Sequence, residues 1–168
     1  MKKIISIICL LVFSFSLVAC DGNANREITV AEAGYSCNGL VEYGENFSSN
    51  ITVRAIGGGL FTVVINTPED ISGLTFSFDN SELSISYNGL EYSEAIPTEY
   101  GGFAEILNEI FMKFTTSRPI VYSKDGKFLY EGNNSAYSFA VTFNEEGFPL
   151  LVTVDDEDMK VTFSNWKY

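Results

Sequence analysis

The feature that most constrains the fold is a two-residue alternation of apolar and polar side chains that recurs along most of the chain. It is clear over residues 51–55, 74–79, 83–87, 137–143 and 159–164. Successive side chains of a strand point to opposite faces, so this period indicates strands with one buried face. Gly-rich and Asn-Gly turns separate the segments, which is typical of antiparallel hairpins. We expect roughly nine to eleven antiparallel strands.

One long segment breaks the alternation. Between Gly101 and Thr116 the large apolar residues recur at intervals of three and four, which predicts an amphipathic helix. Burying six such side chains stabilises a packed helix by about 1.5–3 kcal/mol each, so we expect the helix to lie firmly on the sheet. The six residues are Phe103, Ile106, Leu107, Ile110, Phe111 and Phe114.

The segment Leu60 to Ile65 is apolar on both of its faces. A strand with this composition is covered on two sides, either by a helix or by a ligand. Aromatic residues make up 14% of the chain, and two interpretations of this content stay open. One is an ordinary aromatic core, and the other is a concave apolar surface that holds an acyl chain.

The N-terminus has the order of a secretory signal. Lys2 and Lys3 precede an uncharged apolar stretch at 4–18, which is followed by Ala19 and Cys20. The sequence Leu-Val-Ala-Cys at 17–20 resembles a lipobox, which implies cleavage after residue 19 and a diacylglyceryl group on the Cys20 thiol. An uncleaved anchor helix is the alternative. Because acyl chains anchor a protein without spanning the bilayer, we expect the mature chain on the extracytoplasmic face of the cell membrane.

The remaining chain has the length of one domain. We expect a signal peptide at 1–19, a lipidated Cys20 with a short tether at 20–26, and one β-rich domain at 27–168. Asp21 resembles an inner-membrane retention signal of Gram-negative bacteria, and it has no such meaning in a Gram-positive envelope. The sequence leaves the type of envelope open.

Composition argues against several classes of function. The formal net charge of −12 disfavours nucleic acid as a partner, and the absence of histidine removes the usual nucleophile pairs and zinc sites. We therefore predict no catalytic residues, no metal and no cofactor. Cys37 is expected to be a small buried residue, and Asp155 to Asp158 a solvated hairpin turn rather than a calcium loop. An enzyme acting on cell-wall glycans, with two carboxylates from distant loops, stays a minor alternative.

Two segments, Thr67 to Asp79 and Leu83 to Tyr92, resemble uncharacterised lipoproteins of Firmicutes when taken with the helix that follows them. The order of elements is similar to that of the lipoprotein-carrier superfamily typified by LolA, LolB and LppX. This resemblance implies an α+β fold: a strongly curved antiparallel sheet, or incomplete barrel, with the helix packed on its concave face. LolA-type carriers use an arginine at their lid, and neither Arg54 nor Arg118 maps onto that role.

The resemblance leads to a functional hypothesis. We expect a monomeric, membrane-anchored and non-catalytic protein that binds a lipid, an acyl chain or a lipoprotein moiety between sheet and helix. The alternative is an envelope lipoprotein with a sealed core that docks a protein partner. The expected ligand-binding residues are Phe61, Val63 and Ile65 from the sheet and Phe103, Ile106, Leu107, Ile110, Phe111 and Phe114 from the helix.

Overall fold

A computed structural model of the protein describes residues 25–28, 34–56, 59–79, 82–95, 102–117, 119–124 and 127–168. The expected signal peptide at 1–19, Cys20 and most of the tether lie outside the described residues. Arg118 also lies outside them. The division into signal, tether and a single domain therefore stays a prediction.

Twelve strands and one long helix make up most of the described chain. The helix, α1, spans Phe103–Ser117, close to the predicted bounds. The strands are β1 Arg26–Glu27, β2 Tyr35–Tyr43, β3 Phe47–Ile56, β4 Leu60–Ile65, β5 Thr75–Asp79, β6 Glu82–Tyr87, β7 Leu90–Ala95, β8 Ile120–Lys124, β9 Lys127–Asn133, β10 Ser138–Phe143, β11 Pro149–Val154 and β12 Met159–Lys167.

All twelve strands form one sheet, in the order β1-β8-β9-β10-β11-β12-β2-β3-β4-β5-β6-β7. Every neighbouring pair is antiparallel. Most sequential strands pair as hairpins, whereas β12 returns to lie beside β2 in the middle of the sheet and β1 lies beside β8. The sheet is open, with β1 at one edge and β7 at the other.

The sheet curves around the helix. The ring of Phe111 lies 5.5 Å from the rings of both Phe61 in β4 and Phe163 in β12. These two strands are three positions apart in the sheet, which is about 14 Å in a flat sheet. One side chain reaches both only if the strands bend toward it. The expected fold class, a curved open antiparallel sheet with one helix on its concave face, is confirmed.

The core lies between the helix and the concave face. Residues that alternate along the strands are buried on that face, as in β4, where Phe61, Val63 and Ile65 are buried. Leu60 and Val64, on the other face of β4, are half-buried. The two-sided apolar sequence of this strand thus has one fully covered side, which is the side facing the helix.

Candidate functional site

The nine residues expected to contact a ligand come together in one buried cluster. None of their side chains is more than 9% exposed, and the least buried of them is Phe103. They pack against one another and against further core residues of the sheet. Ligand binding by these residues stays a prediction, because in this arrangement the helix and the sheet cover each other's apolar side chains.

Phe111 lies at the centre of the interface between helix and sheet. Besides Phe61 and Phe163, its ring is 5.8 Å from that of Tyr35 and 6.5 Å from that of Trp166. The tilted and edge-on ring pairs found here are favourable for aromatic groups, since the positive edge of one ring meets the negative face of another. This aromatic cluster holds the middle of α1 on strands β2, β4 and β12.

The two ends of the helix contact opposite halves of the sheet. Phe103 in the first turn packs against Phe47 in β3 at 5.4 Å and against Phe76 in β5 at 6.1 Å. Phe114 in the last turns packs edge-on against Tyr130 in β9 and Phe143 in β10, at 5.4 and 5.2 Å. A single helix therefore spans most of the width of the concave face.

The C-terminal half of the helix is also fixed by polar contacts to the β9–β10 hairpin. The Tyr137 hydroxyl donates to Glu109 Oε2 at 2.6 Å, and the Asn134 amide donates to the same carboxylate at 2.9 Å. Lys113 Nζ donates to the Asn133 carbonyl at 3.0 Å. Burial and the neighbouring Glu109 carboxylate both raise the pKa of Tyr137, so its hydroxyl stays protonated and donates. The sequence does not indicate these partners, because they are 20–28 residues away from Glu109 and Lys113 in the chain.

Two further polar groups are buried in the concave face. The Tyr35 hydroxyl is buried without a hydrogen-bond partner among the described residues. Burial raises the pKa of Tyr35, and it raises the pKa of the neighbouring Cys37 thiol to about 12. The reactive thiolate is thus suppressed at neutral pH. The expectation that Cys37 is a small buried residue is confirmed.

The apolar concave face extends beyond the helix toward the β7 edge. Val63, Phe76, Ile85 and Tyr92 lie directly opposite one another in register across β4, β5, β6 and β7. Opposed residues of antiparallel strands share a face, so these four form one row on the concave side. Val63 is fully buried, Phe76 and Ile85 are half-buried, and Tyr92 is 57% exposed.

This row was only partly predictable from the sequence. The alternation placed Phe76 and Ile85 on the apolar faces of their strands, and it covered neither Val63 nor Tyr92. It did not show which of them the helix would cover, because that depends on the position of α1 across the sheet. Phe76 contacts Phe103 of the helix, whereas Tyr92 donates a hydrogen bond to Glu94 Oε2 at 3.0 Å and is largely exposed.

Two open clefts lie on other parts of the described surface. One, of about 310 Å³, is formed by β9, β10 and Asp155. The other, of about 270 Å³, lies where β2, β3 and the C-terminal residues meet. None of the nine expected ligand-binding residues lines either cleft.

A metal site would need several acidic, Cys or His side chains close together in the described residues. They contain no group of three or more acidic, Cys or His side chains arranged to hold a metal ion. The acidic segment after β11 forms a tight turn at Asp155–Glu157, followed by Asp158 with φ 45°, as the sequence predicted. In that turn the Asp156 carboxylate accepts a hydrogen bond from the Ser138 backbone N–H at 3.0 Å. Within the same ranges, no helix is both long and apolar enough to cross a bilayer.

Solved structures share this architecture, although no protein-family model and no curated protein matches the chain. An uncharacterized conserved protein from Thermus thermophilus is similar over 81% of this chain and 78% of its own, with a TM-score of 0.51 and 10% identity. A LolA superfamily protein from Nitrosomonas europaea matches over 83% of this chain and 88% of its own, with a TM-score of 0.45 and 11% identity.

A third similar structure is an outer membrane lipoprotein-sorting protein domain from Vibrio parahaemolyticus. It matches over 83% of this chain and 86% of its own, with a TM-score of 0.49 and 12% identity. The LolA superfamily protein belongs to the superfamily that the sequence resembles. At 10–12% identity, the likeness concerns the fold alone.

Proposed function

We propose that the protein is a membrane-anchored, extracytoplasmic lipoprotein that binds an acyl chain or another hydrophobic ligand between its sheet and α1, without catalysing a reaction. The observation that carries this proposal is the row from Val63 to Tyr92. Along it the concave apolar face passes from full burial under the helix to 57% exposure at the edge of the sheet. An apolar surface that continues from solvent into the core offers a path for a hydrocarbon chain.

The ligand enters over the half-buried pair Phe76 and Ile85 and meets Phe103, the first core residue of the helix. Since the nine core residues already pack together, the ligand gains contact with them only by replacing helix–sheet contacts. Each methylene that it buries contributes about 0.8 kcal/mol, so a long chain offsets the loss of one or two aromatic contacts.

The polar contacts of the helix are concentrated on one part of it, which supports a movement of the other part when a ligand binds. Glu109 and Lys113 fasten the middle and the C-terminal part of α1 to the β9–β10 hairpin. Phe103, in the first turn, is held by ring contacts to Tyr43, Phe47 and Phe76. We therefore expect the N-terminal half to lift while the C-terminal half stays in place, which opens the face beside β5.

Lipid extraction tests the proposal directly. Residues 21–168 are purified, extracted with organic solvent and analysed for stoichiometric lipid by mass spectrometry. Ile85→Glu places a charge on the path of the ligand and should abolish lipid recovery. Ser84→Glu is the matched control, because it places the same charge on the opposite face of β6. Equal lipid content in both variants, or its absence from the unmodified protein, contradicts the proposal.

Anchoring through Cys20 is tested separately. Intact-mass measurement of the protein from its host membrane should show a chain that begins at Cys20 and carries a diacylglyceryl group. Cys20→Ser should block both lipidation and cleavage, because the thiol is the acceptor, and should leave residues 1–19 attached. A mature chain with an unmodified Cys20 would show that the lipobox is not used.

The buried state of the nine core residues favours a second function. A sealed core is what we expect of an envelope protein that docks a partner on its surface, and none of the nine residues lines either described cleft. A stable protein that yields no lipid and does not bind added fatty acid would favour this alternative. The search for a partner would then turn to the surface of the sheet.

A further inference from the structure

We propose that the free edge of β7 is a docking strand for an extended, basic segment of another polypeptide, which adds to the sheet as a thirteenth strand. The proposal concerns the outward edge of the sheet, and it does not require a ligand between the sheet and α1, although Tyr92 belongs to both surfaces. Within the described residues, β7 pairs only with β6 and forms the end of the sheet.

The geometry of this edge is suited to strand addition. All six residues of Leu90–Ala95 pair with β6 in one continuous register, without a bulge, from Tyr87 opposite Leu90 to Glu82 opposite Ala95. Every residue of β7 is exposed. An edge strand presents a row of unpaired backbone N–H and C=O groups, which another chain can use as a template. The other edge of the sheet, β1, has only two residues.

The usual protection of an edge strand is limited in β7. Natural edges are blocked by charged side chains, lysine above all, by prolines, by bulges or by short length. The segment from Leu90 to Ala95 contains neither proline nor lysine, its protection is limited to two glutamates, and it carries two large apolar side chains on one face. Leu90 is 76% exposed and Tyr92 is 57% exposed. These side chains give an added strand apolar surface beside its backbone hydrogen bonds.

Charge selects the kind of partner. Glu91 and Glu94 are the charged residues of β7, and they lie on opposite faces of the strand. Like charges that lie directly opposite each other destabilise a strand pair, whereas opposite charges stabilise it. A second copy of the chain would bring two more glutamates to the same ribbon, within a protein of formal net charge −12. The fitting partner therefore places Lys or Arg opposite Glu91 and Glu94, and apolar residues opposite Leu90 and Tyr92.

A synthetic probe follows from this pairing. In the antiparallel direction, the hexapeptide Thr-Lys-Thr-Val-Lys-Val sets its lysines opposite Glu94 and Glu91 and its valines opposite Tyr92 and Leu90. Binding to the full mature protein in nanodiscs is followed by hydrogen exchange, detected by mass spectrometry. We expect slower exchange in peptides that cover β7, and unchanged exchange in those that cover β1 and the central strands.

Two N-methylated probes separate strand addition from side-chain binding. Amides of successive residues point to opposite edges of a strand, so one probe is methylated at its odd positions and the other at its even positions. Only one of the two should lose binding. Equal binding of both probes, or no protection of β7 by the unmethylated probe at millimolar concentration, overturns the proposal.

Charge variants complete the test. Glu91→Lys with Glu94→Lys should weaken binding of the unmethylated probe roughly tenfold, because two exposed ion pairs become repulsive. Glu45→Lys with Glu146→Lys makes the same change of net charge in two turns outside β7 and should leave binding nearly unchanged. Equal weakening by both pairs points to general electrostatic attraction and overturns the assignment to β7. A dimer of the unmodified protein that Tyr92→Lys dissociates would identify a second copy as the occupant instead.

Discussion

Replacing Phe111 by Ala removes the ring at the centre of the interface between α1 and the sheet. The side chain is 1% exposed, and five other aromatic rings lie with their centroids 5.5–6.5 Å from it. These rings belong to β2, β4, β12 and the helix itself. Because they are anchored on different strands, they cannot close together into the space that the missing ring leaves.

The expected cost is large for this reason. Phe-to-Ala substitutions in cores destabilise proteins by about 3–5 kcal/mol, and the cost rises with the volume of the remaining cavity. A site that collapses poorly lies at the upper end, so we expect a loss of about 4–5 kcal/mol. Stabilities of whole domains are about 5–15 kcal/mol, so this one change removes a third or more of a typical value.

Urea denaturation followed by tryptophan fluorescence measures the effect, since the ring of Trp166 is 6.5 Å from that of Phe111. With a slope of about 2 kcal/mol per molar urea, the midpoint should fall by about 2 M. Met112→Ala, at the next position of the same helix, is half-buried and should cost about 1 kcal/mol. A loss below about 1.5 kcal/mol for Phe111→Ala would refute the view that this ring holds the helix on the sheet.

Three further predictions follow from other contacts. Gly132→Ala should destabilise the protein by about 1–3 kcal/mol in thermal unfolding, because its β-carbon would lie 2.5 Å from the ring of Phe139. Tyr137→Phe should cost about 1–2 kcal/mol by removing one of the donors to the Glu109 carboxylate, whereas Tyr35→Phe should be neutral or stabilising, since that hydroxyl has no partner among the described residues. Cys37, with a pKa raised to about 12 by burial, should resist thiol reagents at pH 8 until the protein is unfolded in urea.

Each of these predictions has a control. Gly102→Ala adds a β-carbon with nothing within 4 Å and should change stability little, so equal losses at both glycines would contradict the steric explanation. Tyr35 and Tyr137 both have a pKa raised above 10.0, the ordinary pKa of tyrosine. Their contribution to folding stability is therefore complete below pH 10.0, and it is lost as the pH rises further. Stability that is unchanged from pH 9 to 11 would contradict that burial. Labelling of the native thiol as fast as in urea would show that β2 opens freely.

Much of the fold follows from local sequence patterns. Alternation over segments such as 51–55 and 159–164 indicates strands because a strand places every second side chain on one face. The stripe from Phe103 to Phe114 likewise indicates a helix with one apolar side, and α1 spans nearly the predicted range. Turn residues between short strands favour antiparallel neighbours, and hairpin pairing is observed for most of the sheet.

The candidate site was predictable only as a set of residues. The sequence identified nine apolar residues that share a cluster, since each lies on the buried face of its own element. It did not indicate the pairing of β12 with β2, which brings Phe163 toward Phe111. Nor did it indicate the hydrogen bond from Tyr137 to Glu109, which joins residues distant in the chain.

The sequence by itself thus determined most of the secondary structure and the buried face of the alternating strands and of the helix, because periodicity is a local property of the chain. Only the tertiary structure decided how far α1 covers the concave face, so that Val63 is sealed while Tyr92, in the same row, is exposed. It also decided that β7 is a free edge of the described sheet. Both depend on strand order and on the position of the helix across the sheet. These are set by the packing of many distant side chains at once.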